Sequence, residues 1–134
     1  TGFLRNVMIR VGFKTDEVMV NFVTSREDEN SLTPIRDSLV STFPSISSIV
    51  NNITTRKSGV SMGEHQIVLH GNEYILEKLG EYQFMISADS FFQTNTRQAE
   101  KLYEIVLKES ELTGKEIVYD LFSGTGSISL YLSQ

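Results

Sequence analysis

Hydrophobic and polar positions alternate from Phe3 to Phe13, with Val7, Ile9 and Val11 on the same parity and Arg5 interrupting it. After the polar turn Lys14-Thr15-Asp16 the alternation resumes at Val18, Val20 and Phe22, which predicts a β-hairpin with one buried face. Arg26 to Ser31 is charged and polar and reads as a solvated loop. Thr33 then has the character of an N-cap, with Pro34 at the first helical position. Ile35, Leu39 and Phe43 form the apolar stripe of a helix that Pro44 ends. Ser45 to Ile53 is rich in β-branched residues and predicts a strand, and the polar stretch Thr54 to Glu64 a mobile loop.

Gly71-Asn72 between Ile67–His70 and Tyr74–Leu79 predicts a second hairpin, and Gly80-Glu81 turns the chain again into Tyr82–Ser87. The pattern then changes period. Asn95 can cap a helix with Gln98 three residues on, and Ala99, Leu102, Tyr103 and Val106 follow helical spacing until Leu112-Thr113-Gly114. Ile117 to Phe122 is almost wholly apolar, as a central parallel strand would be, and Gly124-Thr125-Gly126 follows before another helix. The fold class expected is α/β. Residues 1–90 form an α+β domain with an antiparallel sheet, and residues 91–134 open a Rossmann-like domain with its first strand and helix.

Composition narrows the function. The 134 residues include no cysteine, which excludes disulfides and thiolate metal sites within them. No apolar run approaches a membrane span and no signal peptide is visible, so a soluble cytoplasmic protein without membrane partners is expected. The net charge of −5 is concentrated in the second half. Residues 67–134 carry ten acidic against five basic side chains, and residues 1–66 carry seven of each. Charge alone therefore argues against nucleic acid as a partner.

The candidate chemistry lies in two places. In Asp120-Leu121-Phe122-Ser123-Gly124-Thr125-Gly126, an acid at a strand end precedes glycines that can turn sharply and bring backbone N–H groups close to a ligand. The dinucleotide fingerprint would require glycine at position 129, which is Ser129, and no P-loop lysine follows. Glycines in such a turn serve structure as readily as function. Asp89-Ser90-Phe91-Phe92-Gln93-Thr94-Asn95 is the second stretch; by itself it could be an aromatic plug beside a helix cap. His65 and His70 have no carboxylate cluster beside them and read as ordinary surface or turn histidines. Arg56 and Lys57 read as part of a solvated loop, and Arg5 could reach RNA or pair with an acid.

Together, Phe91-x-Gln93-x-Asn95 and the Asp120–Gly126 loop resemble the RNA 5-methyluridine methyltransferases, with class I motif I in the second stretch. Gly2-Phe3-Leu4-Arg5-Asn6, Ser48-Ile49-Val50-Asn51-Asn52-Ile53 and Leu112-Thr113-Gly114-Lys115-Glu116 extend the resemblance over essentially the whole chain. It implies S-adenosylmethionine as cofactor and C5 of uridine in ribosomal (23S) or transfer RNA as substrate. It also implies a central domain followed by the start of the catalytic one. By the family pattern Gln93, Asp120, Phe122, Gly124, Gly126 and Ser127 bind the cofactor, and Phe91 shapes the site where cofactor and a flipped uracil meet. Position 123 is often Cys in the family and is Ser123 here; position 127 is often Asn or Thr and is Ser127, a shorter donor. The family's catalytic cysteine and glutamate are expected beyond residue 134. The chain by itself is expected to be inactive, with no metal. A noncatalytic RNA-binding or interaction module with a Rossmann-type edge is the alternative.

Overall fold

A computed structural model describes residues 2–56 and 63–133. Four strands form a sheet in the order β1-β2-β3-β4: β1 (Leu4–Val11), β2 (Val18–Thr24), β3 (Ile46–Ile53) and β4 (His65–Gly71). A separate two-stranded sheet pairs β5 (Tyr74–Leu79) with β6 (Tyr82–Ser87). Helix α1 (Glu29–Thr42) links β2 to β3, while α2 (Thr96–Glu109) and α3 (Ser127–Leu132) follow β6. The β1–β2 hairpin and the tight β5–β6 turn through Gly80-Glu81 form as the pattern predicts. One neighbouring pair of the larger sheet is parallel: β2 runs alongside β3, with Phe22 opposite Asn51. That geometry needs a long crossover, and α1 supplies it.

The sheet has a core on each face. Val20, Phe22, Leu32, Ile46 and Ile49 pack beneath α1, while Met19 and Val50 join Ile75, Leu79, Phe84, Ile86 and the α2 residues Ala99 and Tyr103 on the opposite face. The expected apolar face of β1 is not covered. Val7, Ile9, Val11 and Phe13 are 42%, 64%, 60% and 51% exposed. Register explains this. Val7 pairs with Phe22 and Ile9 with Val20, so these side chains share the α1 face of the sheet. Helix α1, however, lies over β3 and β4 and leaves the β1 edge open. Phe13 instead packs under the Arg97 guanidinium, 5.1 Å from its ring centroid.

Three further expectations change. Helix α1 starts before Thr33, because the Asp28 carboxylate accepts from Ser31 N at 3.2 Å and from Ser31 Oγ at 2.9 Å. Pro34 thus lies inside the helix, and the buried stripe is Leu32 with Leu39 and Val40; Ile35 and Phe43 are exposed. Gly71-Asn72 does not close a hairpin, since β4 pairs with β3 and β5 with β6. Gly71 takes φ +67° where a Cβ would lie 2.0 Å from Ser47 O, and Asn72 N donates to that carbonyl at 3.2 Å. The turn carries the chain off one sheet and into the next. Most of the loop expected at 54–64 lies outside the described residues, Lys57 included.

The apolar run 117–122 is the third change. It forms no strand and pairs with none among the described residues, and Ile117, Tyr119 and Leu121 are about four-fifths exposed, at 82%, 82% and 79%. A buried parallel strand takes its hydrogen bonds from neighbouring strands and its cover from both faces. Among the described residues this stretch has no strand partner and leaves most of its side chains exposed.

Candidate functional site

The segment between β6 and α2 is pinned from several sides. Arg10 Nη2 on β1 donates to Ala88 O at 3.1 Å, and Asn52 Nδ2 on β3 donates to Asp89 Oδ1 at 3.1 Å. Burial lowers the Arg10 pKa, with the Asp89 charge opposing that shift. The Ser87 and Ser90 hydroxyls meet at 2.8 Å across the turn. Phe92 turns inward, its ring tilted 52° to Phe84 at 5.4 Å between centroids. At the far end the Asn95 side chain accepts from Gln98 N at 3.1 Å, the cap that the sequence predicts. The next residue, Thr96, donates its hydroxyl to Glu77 Oε2 at 2.9 Å.

With Phe92 inside, its neighbours face outward: Phe91 is 72% exposed and Gln93 is exposed as well. Both border a cleft of about 390 Å³ whose other walls include Met8, Arg10, Glu77 and Thr96. This cleft joins an aromatic ring and a free side-chain amide to an apolar floor. Such a surface suits a ligand with a flat apolar part and a polar end.

The glycine loop lies elsewhere. Gly124 and Gly126 take φ of +56° and +71°, Phe122 takes +65°, and Gly126 is the N-cap of α3. Nothing lies within 4 Å of a Cβ built on either glycine, so the loop backbone is open to approach. Ser129 Oγ donates to Asp120 Oδ2. The hydroxyl of Ser127 meets that of Tyr103 on α2 at 2.9 Å, and the Tyr103 and Tyr131 rings meet edge-on at 5.6 Å. Asp120 and Ser129 border a second cleft of about 420 Å³, with Glu116, Val118 and Leu107. The Thr113 hydroxyl and backbone N–H hold the Glu116 carboxyl down at about 2.

The residues singled out in the sequence therefore lie in two groups. Phe91 and Gln93 share one cleft, Asp120 borders the other, and Phe122, Gly124, Gly126 and Ser127 border neither. Helix α2 connects them, starting just after Gln93 and holding Ser127 through Tyr103, two turns (about 10 Å) along its axis. Sequence reasoning missed Arg10, Asn52 and Glu77. Glu77 had a signal: it shares its parity with buried Ile75 and Leu79, so the strand pattern sends an acid inward. His65 and His70 sit on β4, and no group of metal-ligating side chains occurs among the described residues. Arg5 is exposed and makes no ion pair among them, and Arg56 Nε approaches Glu64 at 3.9 Å.

Comparison with known proteins gives this geometry a context. No protein-family profile matches the chain. It is 44% identical to an uncharacterized RNA methyltransferase of Chlorobaculum tepidum, over 99% of this chain and 28% of that protein. It is 43% identical to another from Clostridium acetobutylicum, over 99% of this chain and 29% of that protein. Among solved structures, the tRNA (uracil-54, C5)-methyltransferase of Pyrococcus abyssi, in complex with S-adenosyl-L-homocysteine, aligns with a TM-score of 0.76. It is 36% identical, and the alignment covers 98% of this chain and 31% of that one. The chain thus spans less than a third of the length of the relatives it matches. It is related over nearly its whole length to a segment of RNA methyltransferases, as the motif pair implied. No helix among the described residues is long and apolar enough to cross a membrane.

Proposed function

We propose that this chain serves an S-adenosylmethionine-dependent RNA methyltransferase acting on C5 of uridine. One observation carries the reading: the likeness, in fold and at 36% identity, to a tRNA uracil-C5 methyltransferase with the demethylated cofactor bound. In this reading Gln93 hydrogen-bonds the amino-acid end of the cofactor and Phe91 borders the place of the uracil ring. Phe122 and the backbone from Gly124 to Ser127 lie along the cofactor, and Asp120 supports the loop. The residues present suit such a ligand: an exposed amide, an exposed ring, and glycine backbone with open space beside it. When bound, S-adenosylmethionine supplies an electrophilic methyl group.

Phe91 and Gln93 border one cleft and Asp120 another, and in this reading one cofactor spans both once the 117–122 run is laid into a larger sheet. The remaining two-thirds and more of the relatives' length is the natural source of those strands. The same source would supply a cysteine to add to uracil C6 and a base to remove the C5 proton, because C5 is a poor nucleophile unaided. This chain has no cysteine.

The test uses a protein of the relatives' full length that carries this sequence. Incubated with uridine-containing tRNA or 23S rRNA and methyl-labelled cofactor, it is expected to label uracil C5, while the 134-residue chain leaves the RNA unlabelled. Gln93→Ala is expected to weaken cofactor binding roughly 10- to 150-fold, the loss of one hydrogen bond to a charged group. Label at another atom, or cofactor affinity unmoved by Gln93→Ala, would refute the corresponding assignment.

A further inference from the structure

We propose that Arg10, Asn52 and Asp89 act as positioning residues, a polar clamp that sets the aim of Phe91 and Gln93. The clamp deepens the reading above, on which Gln93 meets the cofactor. Its geometry begins with register. Arg10 pairs with Met19 and Asn52 with Val23, and Met19 and Val23 have the same parity on β2. Arg10 and Asn52 therefore project from one face of the sheet, the face beneath the β5–β6 layer. They reach consecutive residues of the β6–α2 connection from either side of β2: Arg10 holds the Ala88 carbonyl, and Asn52 holds the Asp89 carboxylate.

Burying an amide in a strand is costly unless it is hydrogen-bonded, and Asn52 is 0% exposed. An apolar residue would pack there more cheaply, so its use calls for a partner that an apolar side chain cannot hold. Asp89 is one such partner, and it stands two residues before Phe91 and four before Gln93. Phe92 wedges the middle of the segment against Phe84, and Thr96 fixes its end on Glu77. The exposed Phe91 ring and the Gln93 amide, which makes no hydrogen bond among the described residues, do not anchor themselves. Their direction is set by the backbone that the clamp holds.

The contact can be exchanged between its partners. Asn52→Asp sets two carboxylates against each other and should free the segment, raising amide exchange at residues 88–95 about 10-fold or more, with β1–β4 protection retained. Adding Asp89→Asn restores an amide–carboxylate pair with the roles reversed and should return exchange toward the parent rate. Arg10→Gln, on the edge strand, removes the Ala88 contact without burying a new charge and should loosen the same segment. Cofactor affinity in the full-length protein should follow the same order. An exchange increase shared equally by the whole sheet, or no recovery in the double variant, would overturn the clamp. Exchange that recovers while cofactor affinity never moves would uphold the clamp and remove Gln93 from the cofactor site instead.

Discussion

Glu77 Oε2 accepts the Thr96 hydroxyl at 2.9 Å, tying the middle of β5 to the first residue of α2. The same oxygen accepts Phe13 N at 2.7 Å, and Oε1 accepts Lys14 N at 3.1 Å and Lys78 N at 2.8 Å. A carboxylate that is 2% exposed thus gathers the β1–β2 turn, the small sheet and the start of α2 at one point. Each donor would otherwise need water, and the acid would be buried without partners.

Glu77→Gln keeps the shape but turns an NH₂ group toward N–H or hydroxyl donors. It is expected to destabilise the chain by about 1.5–3 kcal/mol, the range for a hydrogen bond to a charged group. Urea unfolding measures this. A change inside the roughly ±0.5 kcal/mol typical of surface positions would mean that Glu77 is not the junction described.

Tyr103→Phe removes only a hydroxyl, the one that meets Ser127 Oγ at 2.9 Å. The edge-on contact with Tyr131 remains. Amides 127–132 of α3 should exchange faster, by the equivalent of about 0.5–1.5 kcal/mol, while those of β2 and β3 stay protected. Exchange unaltered in α3 would show that ring packing alone holds it.

Two glycines with the same backbone sign should differ. Gly71→Ala drives a Cβ to within 2.0 Å of Ser47 O, whereas Gly124→Ala meets nothing within 4 Å and bears only the left-handed backbone cost of about 1–2 kcal/mol. Thermal melts of the two variants should show the larger loss for Gly71→Ala, together with disturbed β3–β4 amides. Equal losses would contradict the close approach at Ser47.

Glu116 gives a pH signature. Bonds from the Thr113 hydroxyl at 2.7 Å and the Thr113 N–H at 2.8 Å favour the ionised carboxylate and lower its pKa from 4.5 to about 2. A depressed folded pKa means that the contact is complete above 4.5 and is lost as pH falls toward about 2. NMR titration of the Thr113 amide should therefore report a midpoint near 2, and Thr113→Val should move it upward. A midpoint at the ordinary glutamate value in the parent chain would disprove the turn.

Much of this molecule follows from local chemistry in the sequence. The β1–β2 and β5–β6 hairpins, strand β3 and helix α2 with its Asn95 cap depend on turn residues, alternation and capping, which act within a few positions. The motif pair Phe91-x-Gln93 and Asp120–Gly126 also carried the relationship to RNA methyltransferases, since motifs are read without knowing where they fold. Period does not reveal cover, however. Alternation marks Val7, Ile9 and Val11 as one face, but only the placement of α1 over β3 and β4 decides that this face is open. The apolar run 117–122 has the composition of a buried strand, and burial requires neighbours that its own residues cannot supply. The same holds for Arg10, Asn52 and Asp89. Their partnership spans 79 positions of sequence, from Arg10 to Asp89, and exists only because β2 aligns β1 and β3 beneath a single turn.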